Sequence, residues 1–216
     1  MTKSRDLIMR IVAIALLAFA YACGPGQSKA EKRLQSFGTV KVPAVARFAA
    51  AEHFVSATLG LKDEALEALE NRDRGEGVWL ALMNEEFKSF LLNKTEKNVP
   101  STTLNIYTHV AIVSKSRLVL EELGDGAETK LAHLWALLQK QPHGPHGKDG
   151  VLFCAPEFAI SSENVFFIRG TDGNLWQVDV HWSELDRYNP WEMGWILFAG
   201  PAQEGLIDQS YRVIAQ

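Results

Sequence analysis

The stretch from Val165 to Trp182 constrains the fold of this chain more than any other. Val165 to Arg169 and Leu175 to Trp182 flank Thr171-Asp172-Gly173-Asn174, and Asp-Gly between two alternating runs is a strong short-range sign of a β-hairpin. A two-residue turn would set Thr171 opposite Asn174, Phe167 opposite Val178 and Val165 opposite Val180. Trp176 and Trp182 then share that face, which belongs to the core. The other face would pair Ile168 with Gln177, Phe166 with Asp179 and Asn164 with His181. Apolar rings beside an acid, an amide and an imidazole suit neither open solvent nor a dry core, so a helix or a pocket roof is expected over part of it.

That mixed face supplies the candidate binding residues Phe166, Gln177, Asp179 and His181. Asp179 and His181 lie two apart on one strand, roughly 6.5 to 7 Å between Cα atoms, close enough for the carboxylate to orient and charge the imidazole. Such a pair can act as a general base, but no Ser or Cys nucleophile motif accompanies it, so no catalytic residue is assigned. Gln177 would hydrogen-bond a ligand and Phe166 would supply an apolar wall.

Upstream, the periodicity is helical. Val45, Phe48, Ala51, Val55 and Leu59 form one stripe; Asp63 can cap a short helix carrying Ala65, Leu66 and Leu69; Trp79, Met83, Phe87 and Phe90 mark a third stripe from about Gly77 to Asn93. Alternation at Leu104, Ile106, Val110 and Ile112 predicts a strand over Thr102 to Val113, with a helix running on to Leu123 as the alternative. Asp125 to Glu128 resembles a capping box ahead of the Leu131, Leu134, Trp135, Leu138 stripe, which Pro142 stops. Trp191 to Ala199 and Ser210 to Ala215 are further strand candidates. Helices followed by strands predict an α+β domain over 44–216, with N-terminal helices packed on a C-terminal antiparallel sheet.

Other candidate chemistry is sparse. Pro142-His143-Gly144-Pro145-His146-Gly147 places two imidazoles in a turn-rich loop, and a metal would need a third ligand such as Asp149 or His181. The spacing matches no zinc signature, so no metal is assigned and the loop reads as solvated. His53 and His133 point away from their apolar stripes and are expected at the surface. Glu85-Glu86 and Glu121-Glu122 are helix neighbours that diverge by about 100° and cannot share a proton unaided. There is no P-loop, no Gly-x-Gly-x-x-Gly, no Gly-x-Ser-x-Gly and no His-Glu-x-x-His, and no cofactor is implied. Cys154, in Val151-Leu152-Phe153-Cys154-Ala155, reads as a small buried hydrophobe.

The N-terminus sets the address. Residues 1 to 10 are basic on balance, and Ile11 to Ala22 is an uncharged apolar run of 12 residues. That is shorter than the ~20 helical residues a bilayer core demands, so 1–22 is read as a cleavable export signal. The remaining chain has 19 basic and 25 acidic residues, a net charge of −6 with histidine neutral. That balance argues against nucleic acid, or an anionic lipid surface in general, as a partner.

Ala20-Tyr21-Ala22-Cys23 resembles the lipobox of bacterial lipoproteins, although Ala20 stands where the family usually has Leu and Tyr21 where it usually has Ala or Ser. The resemblance implies a lipid on Cys23, a palmitate-type membrane anchor in the cell envelope, and, with Gly24 rather than Asp following, the outer membrane facing the periplasm in a cell with two membranes. Residues 23–43 are then the lipidated cysteine and a flexible tether, the alternative being plain secretion with Cys23 left free. Phe166 to Trp176 resembles one blade repeat of bacterial fucose-binding propeller lectins, but a single copy builds no propeller. The element order, with Phe54 to Leu69 and the strand Trp195 to Phe198, faintly resembles NTF2-like cone folds, which carries no residue roles. The resulting expectation is an envelope lipoprotein whose domain binds a ligand or partner without catalysis. The alternative is a hydrolase or isomerase-like enzyme using Asp179 and His181.

Overall fold

The computed structural model describes residues 32–59, 77–144, 152, 163–184 and 193–216, and its main compact unit runs from Arg33 to Gln216. Cys23, the helix expected after Asp63, His146, Asp149 and Cys154 lie outside the described residues. Within them, 48% of residues are in strands and 26% in helices, which overturns the expected layer of helices on an antiparallel sheet.

The chain forms β1 (Leu34–Val42), β2 (Val45–Ala49), α1 (Ala50–Leu59), β3 (Leu80–Met83), α2 (Glu85–Phe90), β4 (Thr95–Val99), β5 (Thr102–His109), β6 (Val113–Lys115) and α3 (Ser116–Leu123). A 3-10 turn (Gly124–Ala127) leads to β7 (Glu128–Thr129), α4 (Leu131–Lys140), β8 (Asn164–Arg169), β9 (Leu175–Glu184), β10 (Met193–Pro201), β11 (Leu206–Asp208) and β12 (Arg212–Ala215). Eight strands form one mixed sheet in the order β1-β5-β12-β8-β9-β10-β3, with β7 paired to β8. Three of its pairings, β12 with β8, β7 with β8 and β10 with β3, are parallel. Two ribbons, β2·β4 and β6·β11, lie off it.

The helical stripes misled for a definite reason. Residues 45–59 are a strand running into a helix, and 77–93 contain β3 and then α2. In each, the last strand residues and the first helical turn place their apolar groups on the same core, so their spacing imitates one continuous helix. β1 likewise occupies much of the expected tether, so the folded unit starts ten residues or so before 44.

α4 does form, but not behind the expected capping box. Its leading amides, on Leu131 and Ala132, donate to the buried carboxylate of Glu96 on β4, at 3.1 and 3.0 Å. A charge from a distant strand thus satisfies donors that a local cap would otherwise serve. His133, expected at the surface, is buried, and its Nδ1 accepts the Lys130 amide at 3.3 Å. His53 stacks on Phe48, with ring centroids 4.5 Å apart.

The β8/β9 hairpin forms with its register one residue from the expected one. Arg169 pairs with Leu175 and Phe167 with Gln177. The turn holds three residues, not two: the Gly170 amide donates to Asn174 O at 2.8 Å and the Gly173 amide to Gly170 O at 3.2 Å. Gly173 sits at φ +79°, the left-handed residue that a three-residue hairpin loop requires. Asp172 braces the loop by accepting from the Asn174 amide and from Trp176 Nε1.

That slip exchanges the faces of β8 relative to β9. Phe166 and Ile168 join Trp176, Val178, Val180, Trp195 and Leu197 in the main core, which also takes Phe54, Phe87 and Leu134 from α1, α2 and α4. Val165 and Phe167 turn to the opposite side and pack with Val213, Val119, Ala127, Ala202 and Ile207 in a second core. All of Asn164 to Ile168 is buried, because α3 and the β6·β11 ribbon cover the second face near the sheet's centre. Among the described residues no helix is long and apolar enough to cross a membrane.

Candidate functional site

β9 alternates Gln177, Asp179 and His181 onto the second face, as its period of two dictates. Their neighbours on β10 are Gly200, Phe198 and Ile196. Toward Gln177 this face is closed. Ser116, the buried first residue of α3, donates its hydroxyl to Gln177 Oε1, and Gln177 Nε2 donates to Asp179 Oδ1 at 2.7 Å. The Ser116 amide is held by Gly205 O at 3.0 Å, and a Cβ on Gly205 would overlap the Gln177 amide. This position therefore requires glycine for close approach.

Toward His181 the face opens. Phe198 is 37% exposed, and its ring stacks near that of His181 with centroids 6.0 Å apart. Glu163, just ahead of β8, brings a carboxylate oxygen 4.0 Å from His181 Nδ1. The expected Asp179–His181 pair is not made: Asp179 is held by Gln177, and the acid beside the imidazole is Glu163.

Electrostatics make this corner unusual. Burial pushes the Asp179 carboxyl up to about 7, with nearby Glu163 adding to the rise and the Gln177 hydrogen bond opposing it. Burial lowers His181 against the pull of Glu163, so its imidazole tends to the neutral form. Burial, and then the carboxylates of Glu163, Asp179 and Asp208, drive the Tyr211 phenol well above its ordinary range. The corner thus presents an acid that titrates near neutrality, a second carboxylate, an imidazole that favours neutrality and a half-exposed aromatic ring.

Of the four predicted site residues, the structure brings together Gln177, Asp179 and His181. Phe166 is excluded, because the one-residue slip buries it completely in the core on the opposite face. Phe198 supplies the apolar wall in its place, joined by Glu163 and Tyr211. Alternation in β10 pointed Trp195, Leu197 and Ala199 to one side and Ile196 and Phe198 to the other, but placing Phe198 beside Asp179 required the β9/β10 register. His143 instead packs against Trp79, with ring centroids 4.2 Å apart and the planes tilted by 33°. Among the described residues no three His, Cys, Asp or Glu side chains converge as a metal site would require. The chain matches no family model, no curated protein and no solved structure.

Proposed function

We propose that this chain is an exported lipoprotein, anchored through Cys23 in the cell envelope, whose folded domain binds a ligand or protein partner without transforming it. The observation that carries the binding reading is the half-exposed Phe198 ring beside His181, Asp179 and Glu163. An aromatic wall with a few convergent polar groups is the usual make-up of a binding site. The Glu163 carboxylate accepts hydrogen bonds, while the neutral imidazole offers one acceptor and one donor and the Asp179 carboxyl can serve as either, so the site suits an occupant that carries both donors and acceptors. The Ser116 hydroxyl is buried and committed to Gln177, and burial with the neighbouring carboxylates keeps the Tyr211 phenol protonated, which leaves both unsuited to nucleophilic attack.

Photo-crosslinking in intact cells from a photoreactive phenylalanine analogue at position 198 tests this reading. A discrete adduct that disappears in the His181→Ala background is expected. Identical labelling in both backgrounds, or none in either, would count against the site. Retention of a fatty-acid label by a Cys23→Ala variant would sink the anchor.

The near-neutral titration of Asp179 favours a second reading, an enzyme of the hydrolase or isomerase-like kind in which that carboxyl carries a proton. Mass spectrometry of a captured small molecule separates the two: recovered unchanged after incubation with the protein, it supports binding; recovered altered, catalysis.

A further inference from the structure

Seven large hydrophobic side chains are exposed among the described residues, and four of them belong to one edge: Val110 at 40%, Ile112 at 81%, Val113 at 56% and Leu206 at 57%. The β6·β11 ribbon groups them. Ser114 and Ile207 pair and turn inward, and both are buried. Val113, paired with Asp208, and Leu206, paired with Lys115, therefore turn outward as diagonal neighbours. Ile112 and Val110 continue the edge in the turn that precedes β6. Aliphatic groups scattered singly need no explanation, but four gathered on one ribbon suggest a contact surface.

The path of the chain indicates what lies opposite. The Val110 amide donates to Arg33 O at 2.8 Å, so this edge adjoins the point where the chain enters the folded unit. Nine residues, or ten Cα–Cα steps, separate Cys23 from Arg33. A chain of that length reaches at most about 35 Å, even fully extended. A lipid on Cys23 therefore keeps this edge within a short distance of a bilayer.

We propose that Val110, Ile112, Val113 and Leu206 form a membrane-seating edge that rests in the interface of the bilayer to which Cys23 is attached; the inference rests on the lipid anchor proposed above. The charged residues next to these four along the chain, or next to Arg33 through its hydrogen bonds, are Lys32, Arg33, Lys115 and Arg117 against Asp208, Glu204 and Glu122, and they nearly balance. The contact is therefore apolar and shallow, and insensitive to salt. A lipid and an apolar edge together supply the two signals that stable interfacial seating requires.

The test uses the acylated mature protein on phosphatidylcholine and phosphatidylethanolamine vesicles, in a Cys154→Ser background. An environment-sensitive fluorophore is placed on Ile112→Cys, and in a separate sample on Leu82→Cys, which is 45% exposed on β3 at the other end of the sheet from β1. At 112 the emission should shift to the blue, iodide quenching should fall several-fold and nitroxide-bearing lipids should quench; at 82 none of this should occur. Adding Val113→Asp should reverse the shift at 112, while an unchanged far-ultraviolet spectrum shows the fold intact. Equal iodide access at 112 and 82 on protein shown by mass to be acylated would overturn the edge and leave the anchor standing. Absence of acylation would remove both. A blue shift without vesicles that grows with protein concentration would overturn the membrane in favour of a second copy of the chain.

Discussion

Asp179 is pulled in opposite directions. Burial and the neighbouring Glu163 favour its protonated form, whereas Gln177 Nε2 donates to its charged form. Because its folded value of about 7 lies above its ordinary 3.8, the native state holds this proton more tightly than the unfolded chain does. The associated stability is present below about pH 4 and is lost as pH rises toward and through 7. Asp179→Asn keeps an acceptor for Gln177 and removes the charge. It should stabilise the domain at pH 8 by about 1–3 kcal/mol, less than the full shift implies because the site is partly solvated. Urea unfolding at pH 5 and pH 8 checks this, and a variant advantage that fails to grow with pH would contradict it. His109 has the opposite sign. It is 1% exposed, and burial lowers its affinity for a proton against the opposing pull of the Asp208 and Ala111 backbone carbonyls and of the Asp208 and Glu122 charges. Its contribution is present above its ordinary value of 6.5 and is lost as pH falls below that. Replacing His109 by Gln should flatten the loss of urea midpoint between pH 7 and pH 5; a profile parallel to that of the parent would assign the acid sensitivity elsewhere.

Among the elements, α4 depends most visibly on a residue far away in sequence. Glu96 accepts two of its leading amides and pairs with Lys94 Nζ at 3.0 Å, all at a buried position. Glu96→Ala leaves those amides without their carboxylate and should cost about 2–3 kcal/mol, whereas Glu96→Gln keeps an acceptor and should cost about 1 kcal/mol. Urea midpoints of the two variants test the order, and equal losses would show that the charge and hydrogen bonds matter less than side-chain volume. The stripe of α4 was legible in the sequence, but its cap was not, because Asp125 mimics a capping residue while the true one lies on β4. β5 and the hairpin strands were legible from their alternation. The hairpin register was not, since Thr171-Asp172-Gly173-Asn174 suits a two- or a three-residue loop and the difference of one residue exchanges faces. The uninterrupted run Val165-Phe166-Phe167-Ile168 carried the missing information: four consecutive apolar residues fit a strand buried on both sides better than one with a mixed outer face. Three of the site residues therefore could be read directly, because they alternate along a single strand, while Phe198, Glu163 and Tyr211 depend on pairings between strands distant in sequence.

For the whole molecule, the decisive fact is where the last strand lies. β12 pairs antiparallel with β5 and parallel with β8, which places the chain's final residues in the interior of the eight-stranded sheet. Val213 faces the second core, Ile214 faces the first, and both are fully buried along with Ala215. The Gln216 amide adds a hydrogen bond to Gly126 O at 2.8 Å. Without β12, β5 and β8 lose their shared neighbour and expose edges that would otherwise be internal. No local rearrangement closes that gap, since β5 and β8 are separated by more than fifty residues of chain. A protein ending at Tyr211 should therefore lack a cooperative unfolding transition and collect in the insoluble fraction, whereas one beginning at Arg33 should keep the full transition, because β1 starts immediately afterwards. Differential scanning calorimetry with near-ultraviolet circular dichroism on the two truncations decides the matter. A cooperative melt in the chain lacking residues 212–216 would mean that the sheet closes without β12, and that β5 and β8 do not depend on their shared neighbour.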